Sequence, residues 1–257
     1  MTGPDLDLTC DAFLGGRLSL WQPRGGYRAG IDPVLLAASV PARGGQTVLD
    51  LGCGAGAAAL CLAARVPGLR LTGVERQEAY ATLARRNAVD NQADLTVVEA
   101  DLAALPADLR QQRFDHVIAN PPYFRADAHT ISPDDGRGQA RGEDTPMADW
   151  IDVATRRLAP KGYLHMIHRA SHVPDLLAAC DGRLGSLELL PLAPRAGHVP
   201  HLVILRARKG GKAAFCLHSP VVLHSGDRHE IDGDSYAPDI AAVLRDAAVL
   251  GWAEPRR

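Results

Sequence analysis

The sequence lacks the features of several broad classes of protein. Its 257 residues hold only five cysteines, a scattered set with no C-x-x-C pair. A disulfide framework and a thiolate zinc site are therefore not expected, and a reducing compartment fits best. The longest strongly apolar run, Ala57–Ala64, is far too short to cross a bilayer. No Lys or Arg precedes Arg17, so the start does not resemble a secretory or transit signal. We therefore expect a cytoplasmic protein without a membrane partner.

The sequence also lacks a strong charge of either sign. Its 28 Lys and Arg against 30 Asp and Glu give a formal charge of −2. This balance excludes binding of polyanions through global charge alone, although a local basic patch remains open. With 46% hydrophobic and 23% charged residues, the composition is that of a globular protein and excludes collagen-like and disordered chains.

The N-terminal part of the chain has an irregular pattern. We expect residues 1–12 to form a loose arm, and the glycine-punctuated segment 13–31 to form a small hairpin or lid. Asp32 followed by Pro33 predicts a helix capped by Asp32, with proline in its first turn. Trp21 and Trp150 are interpreted as packing residues.

From residue 46 onward, short apolar strands alternate with helices. This alternation predicts βαβ units and a mostly parallel sheet. The predicted fold class is α/β, a Rossmann-like, doubly wound, seven-stranded sheet with an antiparallel edge strand. The runs at 187–192 and 202–205 supply the antiparallel pair. The predicted organisation is an arm, hairpin or lid, and helix at 1–45, a core at 46–210 and a C-terminal extension at 211–257 in one domain.

A glycine-rich turn between the first core strand and its helix is the strongest local signal. Gly52, Gly54 and Gly56 follow Asp50 there, and such a turn lets the backbone approach a ligand closely. It can also be interpreted as a dinucleotide-binding fingerprint or as a tight turn without a ligand.

Acidic residues follow the next two predicted strands. Glu75 can accept both hydroxyls of a ribose, which would suit NAD as well. Asp101, with Leu102 beside it, is placed to meet an adenine edge. Each acid alone is more often a helix cap or a solvated residue, but acids at three successive strand ends beside one glycine turn indicate a ligand site.

The fourth strand ends in Asn120, Pro121, Pro122 and Tyr123. The prolines fix the backbone, so the preceding carbonyl groups are held rigidly. An exocyclic or amide nitrogen is a poor nucleophile because its lone pair is conjugated. Hydrogen bonds from that NH2 group to the Asn120 side-chain oxygen and the Pro121 carbonyl would pyramidalise it, and Tyr123 could stack on the planar group. A simple strand terminator is the alternative interpretation.

These motifs together resemble class I S-adenosylmethionine-dependent N-methyltransferases. The segment Gln22-Pro-x-x-Gly-Tyr27-Arg28-x-Gly-x-Asp32 is similar to the bacterial family that methylates N6 of adenine 37 in the anticodon loop of valine tRNA. The resemblance implies S-adenosylmethionine as cofactor and tRNA as partner. It places the three glycines beneath the methionine moiety, Glu75 on the ribose and Asp101 on the adenine.

The resemblance also implies that Tyr27, Arg28 and Asp32 close over the cofactor. Asp50, Leu102 and Asn120 complete the expected cofactor-binding set. Two departures leave the substrate open: a long polar segment after Tyr123, expected to be a functional lid or a disordered loop, and an extended C-terminal tail.

Basic residues suggest where RNA could bind. The densest cluster holds Arg206, Arg208, Lys209 and Lys212, and Arg125 and Arg141 lie in the polar segment after Tyr123. A solvated basic turn is the alternative. His165 and His168 would lie on opposite faces of a strand, so no metal site is expected.

Three alternatives to tRNA methylation remain. Methylation of a release-factor glutamine uses the same chemistry, but no long helical N-terminal domain is evident. A DNA adenine methyltransferase would leave little chain for a target-reading domain. A non-catalytic, cofactor-binding RNA or assembly module is disfavoured by the intact Asn120 and Tyr123. The sequence leaves the oligomeric state open.

Overall fold

The computed structural model describes residues 7–122, 145–226 and 235–252. These residues form eleven β-strands and seven α-helices. The strands are β1 (Leu8–Phe13), β2 (Leu18–Pro23), β3 (Thr47–Leu51), β4 (Arg70–Glu75), β5 (Leu95–Glu99), β6 (Phe114–Ala119), β7 (Leu158–Arg169), β8 (Gly185–Ala193), β9 (Leu202–Arg208), β10 (Cys216–Leu217) and β11 (Val221–Val222). The helices are α1 (Asp32–Ser39), α2 (Ala57–Arg65), α3 (Glu78–Asp90), α4 (Ala107–Gln111), α5 (Met147–Arg157), α6 (Val173–Cys180) and α7 (Pro238–Asp246).

The main sheet confirms the predicted fold class. Its seven longer strands run in the order β5-β4-β3-β6-β7-β9-β8, and β9 is antiparallel to both of its neighbours. The short strands β10 and β11 pair with the outer side of β8 and bring the sheet to nine strands. The order reverses between β3 and β6, which is the switch point where ligands bind in open α/β sheets.

Each face of the sheet is covered by helices. One core cluster contains buried residues of α1, α2 and α7, and the other contains buried residues of α4, α5 and α6. The alternation of side chains along β3 shows why both layers are needed: Val48 belongs to the first cluster, and Leu49 and Leu51 belong to the second. Asp50 consequently points toward the layer that contains α2.

The N-terminal hairpin of β1 and β2 is packed against α3. The buried Asn87 accepts a hydrogen bond from the Trp21 backbone N–H at 2.8 Å and donates one to the Trp21 carbonyl at 3.1 Å. Because Leu8–Phe13 forms a full strand, the loose arm expected for residues 1–12 is wrong from Leu8 onward. Pairing with β2 supplies the hydrogen bonds that this segment would otherwise lack.

Two local predictions need correction. Asp32 is the first residue of α1 rather than its cap, because Ile31 precedes the helix and Asp32 lies in the first turn. Pro160, Lys161 and Gly162 predict a turn before the fifth core strand, but they lie inside β7, where the register against β6 shifts and Lys161 has φ of +68°. Over the described ranges, no helix is both long and apolar enough to cross a membrane.

Candidate active site

The candidate site lies at the edge of the sheet where the parallel strands end, here called the carboxyl edge. Leu51 pairs with Val74 on β4 and with Ala119 on β6, so the residues that follow these three strands are neighbours. They surround a ligand cavity with about 870 Å³ of empty space. The cavity is lined by Tyr27, Gly52, Gly54, Val74, Glu75, Arg76, Gln77, Tyr80, Ala100, Asp101, Leu102, Asn120, Pro122, Thr145 and Trp150.

The three glycines of the loop after β3 are required for different structural reasons. A Cβ on Gly52 would lie 2.6 Å from the Trp150 ring, and one on Gly56 would lie 3.3 Å from the Leu60 side chain. At Gly54, where φ is +55°, the nearest atom would be 4.0 Å away, on the Tyr27 ring. Gly54 therefore opens toward the cavity, whereas Gly56 lies behind it among apolar side chains of the core.

Glu75 and Asp101 are both held in place by backbone N–H groups. Glu75 accepts hydrogen bonds from the Gly54 N–H at 3.0 Å and from the Gln77 N–H at 2.8 Å. Asp101 accepts one from the Ala103 N–H at 2.8 Å, which caps the following turn. Each carboxylate oxygen has a second lone pair, so both side chains can also accept hydrogen bonds from ligand hydroxyl or amino groups.

Asp50 lies beneath the loop, where it is 2% exposed. It lines a smaller adjoining cavity of about 420 Å³ with Tyr27, Gly52 and Asn120. Burial raises the pKa of Asp50 to about 8, the charge of Glu75 adds to this, and a hydrogen bond from the Ala59 N–H opposes it. The ionised carboxylate is therefore costly until a cation lies beside it.

Tyr27 extends from the N-terminal segment over the loop. The Asn120 side-chain N–H donates to the Tyr27 hydroxyl at 3.2 Å, and the Tyr80 hydroxyl donates to the Tyr27 carbonyl at 3.0 Å. Desolvation raises the pKa of Tyr27 to about 12, and the charges of Asp32 and Asp50 add to the shift. Tyr27 thus stays protonated and joins the N-terminal segment to the end of β6.

Arg28 and Asp32 do not line this cavity. The Arg28 guanidinium donates to Asp11 at 2.6 Å and to the Pro23 carbonyl at 2.9 Å, so it fastens the segment to the hairpin. A contact of Arg28 with the cofactor stays a prediction. Asp32 lies in the first turn of α1 and acts on the site through its charge on Tyr27.

A wide side groove adjoins the ligand cavity, with Pro122 and Trp150 lining both. Pro121 also lines this groove. Pro122 therefore lies where the two spaces meet, and Asn120 lies next to it on the side of the ligand cavity. Tyr123, Arg125 and Arg141, and the rest of the segment expected to be a lid, lie outside the described residues.

The predicted basic cluster is not brought to the carboxyl edge. Arg208 pairs with Tyr163 toward the amino edge of the sheet, whereas Arg206 pairs with His165 in its middle, in the row of Ile118. The Arg206 guanidinium binds Glu188 through two hydrogen bonds of 2.9 and 2.6 Å and lies 4.2 Å from the Trp252 ring centroid. The Glu188 carboxylate thus neutralises this cation inside the fold, and a role for Arg206 in RNA binding stays a prediction.

The other members of the cluster have different surroundings. Lys209 donates to the carbonyls of Thr155 and Leu158 at the end of α5, and Lys212 is exposed. RNA contact by Arg208, Lys209 or Lys212 stays a prediction. Among the residues that the structure describes, no three His, Cys, Asp or Glu side chains form a metal-binding group.

Seven residues that line the cavity were not predicted as site residues, and the two aromatic ones among them are Tyr80 and Trp150. Tyr80 lies in the first turn of α3, just after Glu75, and its position after a strand end was an available signal. Trp150 was interpreted only as a packing residue. It does pack on Gly52, but it also separates the cavity from the side groove, and no local pattern shows this because α5 follows β6 by a long segment.

Comparisons with known proteins show the family to which this chain belongs. Residues 29–180 match the family model of the methyltransferase small domain. A tRNA1(Val) (adenine(37)-N6)-methyltransferase of Porphyromonas gingivalis is 36% identical over 70% of this chain and 73% of its own length. One from Dickeya chrysanthemi is 31% identical over 85% of this chain and 87% of its own length. A release factor glutamine methyltransferase of Geobacter sulfurreducens is 34% identical, but over 46% of this chain and 43% of its own.

A comparison with solved structures also finds a methyltransferase with a similar fold. A predicted O-methyltransferase from Agrobacterium tumefaciens superposes with a TM-score of 0.68 at 30% identity, covering 85% of this chain and 97% of that one. The chain therefore belongs to the methyltransferase small domain family and, within it, to the group of the tRNA1(Val) (adenine(37)-N6)-methyltransferases.

Proposed function

We propose that this protein transfers a methyl group from S-adenosylmethionine to the exocyclic N6 of an adenine in tRNA, in the cytoplasm. The observation that carries the proposal is the position of Asn120 and Pro122, at the junction between a ligand cavity and an open groove. A transferase needs such a junction, because donor and acceptor must meet at one point. The named relatives supply the substrate class, since they act on adenine 37 of a valine tRNA.

The residues present fit S-adenosylmethionine. The open side of Gly54 admits a ligand against the backbone, Glu75 offers oxygens for hydroxyl groups, and Asp101 with Leu102 offers a polar and an apolar contact for a purine. The buried Asp50 suits the cationic end of the molecule, because a nearby positive charge stabilises its carboxylate. When bound, the cofactor supplies a methyl group on a positively charged sulfur.

Asn120 and Pro121 are the groups that hold the acceptor. Because the Asn120 side-chain nitrogen donates to Tyr27, its oxygen is the atom directed to accept from an amine. Together with the Pro121 carbonyl, it accepts both hydrogens of the NH2 group and orients the nitrogen lone pair. Positioning is the main contribution, since a methylated amine loses its extra proton readily.

Methylation of a release-factor glutamine is the second candidate, because a side-chain amide presents the same planar NH2 group. The relative with that name matches less than half of this chain.

The proposal is tested with purified protein, labelled S-adenosylmethionine and three acceptors: tRNA from cells that lack this protein, a release factor and duplex DNA. We expect label in tRNA alone, recovered as N6-methyladenosine on nucleoside analysis. Label confined to the release factor would reverse the ranking of the two candidates.

A further inference from the structure

The side groove leads away from the active site over the layer that contains α5 and α6. It has about 1410 Å³ of empty space and is lined in part by His168, His172 and Arg183. His168 lies on β7 beside Pro121, because Ala119 pairs with Met166 two residues earlier. Proline and histidine rings give this groove flat surfaces on which a base can stack.

The groove is connected to a group of cations through one carboxylate. Asp152 accepts from Arg183 at 2.9 Å with one oxygen and from Arg156 at 2.9 Å with the other. Two guanidinium groups share a single negative charge here, so the local balance is positive. The Arg156 side chain is 71% exposed and can reach a further anion.

Further arginines lie close to Arg156. Arg156 and Arg157 lie in the last turn of α5, and Arg110 lies in the last turn of α4, with Arg113 just beyond it. The buried Arg157 donates to the Leu109 carbonyl at 3.0 Å, so the end of α5 lies against α4. Burial lowers the pKa of Arg157, and the charges of Arg113, Arg156 and Arg110 lower it further, as expected for cations gathered at this junction. We call the exposed cations Arg110, Arg113 and Arg156 the basic face.

The basic face can be interpreted more simply as a set of helix caps. Arg113 donates to the carbonyls of Arg110, Gln111 and Gln112, which is the expected stabilisation at a helix end. Capping of two helix ends does not explain why three exposed guanidinium groups lie around the buried guanidinium group of Arg157. Helices α4 and α5 carry three acids, Asp108, Asp149 and Asp152, but Asp149 lies in the first turn of α5, at the end away from the basic face.

We propose that the side groove and the basic face hold the RNA strand that flanks the target adenine, with phosphate groups on Arg110, Arg113 and Arg156. This inference rests on the proposed function. Helix α5 has 11 residues, so it places the basic face about 16 Å from the end of α5 that borders the active site. A distance of about 16 Å is small compared with a tRNA stem and its loop, so one tRNA molecule reaches both.

The test compares two triple variants of the full chain. One replaces Arg110, Arg113 and Arg156 with glutamine. The control replaces Arg17, Arg43 and Arg245, three exposed arginines of the opposite layer, and therefore changes the net charge by the same amount. For both variants, tRNA affinity is measured by fluorescence anisotropy across a salt series, and folding by thermal unfolding and S-adenosylmethionine affinity.

We expect the basic-face variant to bind tRNA at least tenfold more weakly and with a salt slope reduced by about 2 to 3, since each lost phosphate contact removes about 0.7 to 0.9. The control should stay within about twofold of the parent. Equal losses in both variants, or none in either, would overturn the inference. If the parent protein itself neither bound nor methylated tRNA, the proposed function would fail as well, so the two failures are distinguishable.

Discussion

In the proposed site, some side chains line the space of the methyl donor and others line the space of the methyl acceptor. Asn120 donates to Tyr27 and lines the cavity assigned to the donor, whereas Pro121 and Pro122, the next two residues, line the groove assigned to the acceptor. Glu75 and Asp101 lie on the donor side alone. Substitutions at these positions should therefore separate binding from catalysis.

Replacing Asn120 with alanine should lower kcat at least about a hundredfold, because it removes an acceptor of the target amine that matters most in the transition state. The affinity for S-adenosylmethionine should stay within a few fold, since Gly54, Glu75 and Asp101 are untouched. Single-turnover kinetics and calorimetric titration measure the two quantities. Asn91→Ala, the same chemical change away from the carboxyl edge, is the control. An equal loss of both quantities would remove the role assigned to Asn120.

The raised pKa of Asp50 predicts a pH dependence of donor binding. In the free protein Asp50 holds its proton below about pH 8, whereas a cationic donor favours the carboxylate, so binding should release a proton. Affinity should therefore increase as pH rises from about 6 to 7.5, a range in which the donor's own amino group remains mostly protonated. Titrations in buffers of different ionisation enthalpy measure the proton release.

Asp50 also affects stability, with the opposite sign. Its folded pKa of about 8 lies above the ordinary value of 3.8, so the carboxyl group stabilises the ligand-free fold less as pH rises between these values. Asp50→Asn should unfold at a less pH-dependent temperature and bind the donor with a flatter pH profile. A parent-like pH profile in this variant would show that another group is responsible.

The β3–α2 loop shows how one element combines ligand binding and packing. Gly54→Ala and Gly56→Ala both place a side chain at positive φ, which costs about 1 kcal/mol or more. The new methyl group of Gly54→Ala points into the cavity, so donor affinity should fall at least tenfold. Gly56→Ala should lose more stability, because its methyl group presses on Leu60, and little affinity. Thermal unfolding and donor titration of both variants check this, and unchanged binding by Gly54→Ala would contradict it.

The regular elements of the core could be predicted from the sequence because their patterns are local. Apolar strands ending in Gly52, Glu75 and Asn120 indicate a parallel sheet whose functional residues meet at one edge, and the structure places those residues around one cavity. The hairpin strand at Leu8–Phe13 was missed, because its stability comes from β2 and α3 rather than from its own composition. Contacts over long sequence distances leave no local pattern.

At the scale of the whole molecule, different parts of the sheet have different tasks. The carboxyl edge carries the cavity, whereas buried polar groups on the outer strands hold β8 and β9 together, including the Arg206–Glu188 pair and the contact between His218 and Glu188 at 2.9 Å. The dense Arg and Lys run in the sequence therefore does not by itself indicate an RNA surface, because Arg206 is paired inside the fold. Arg110, Arg113 and Arg156, which no single window of sequence shows together, form an exposed basic surface at the ends of α4 and α5.

This division predicts that Arg206→Gln affects stability and not tRNA binding. The substitution removes two charged hydrogen bonds to Glu188 and the contact with Trp252, so the free energy of unfolding should fall by about 2 kcal/mol. For a chain of this size, that corresponds to a decrease in Tm of about 4 to 8 °C. The tRNA affinity of the folded variant and its salt slope should match those of the parent, as anisotropy below the unfolding range would show. A flatter salt slope at an unchanged Tm would instead show that Arg206 contacts the RNA, and the surface around Arg206 would then belong to the binding surface.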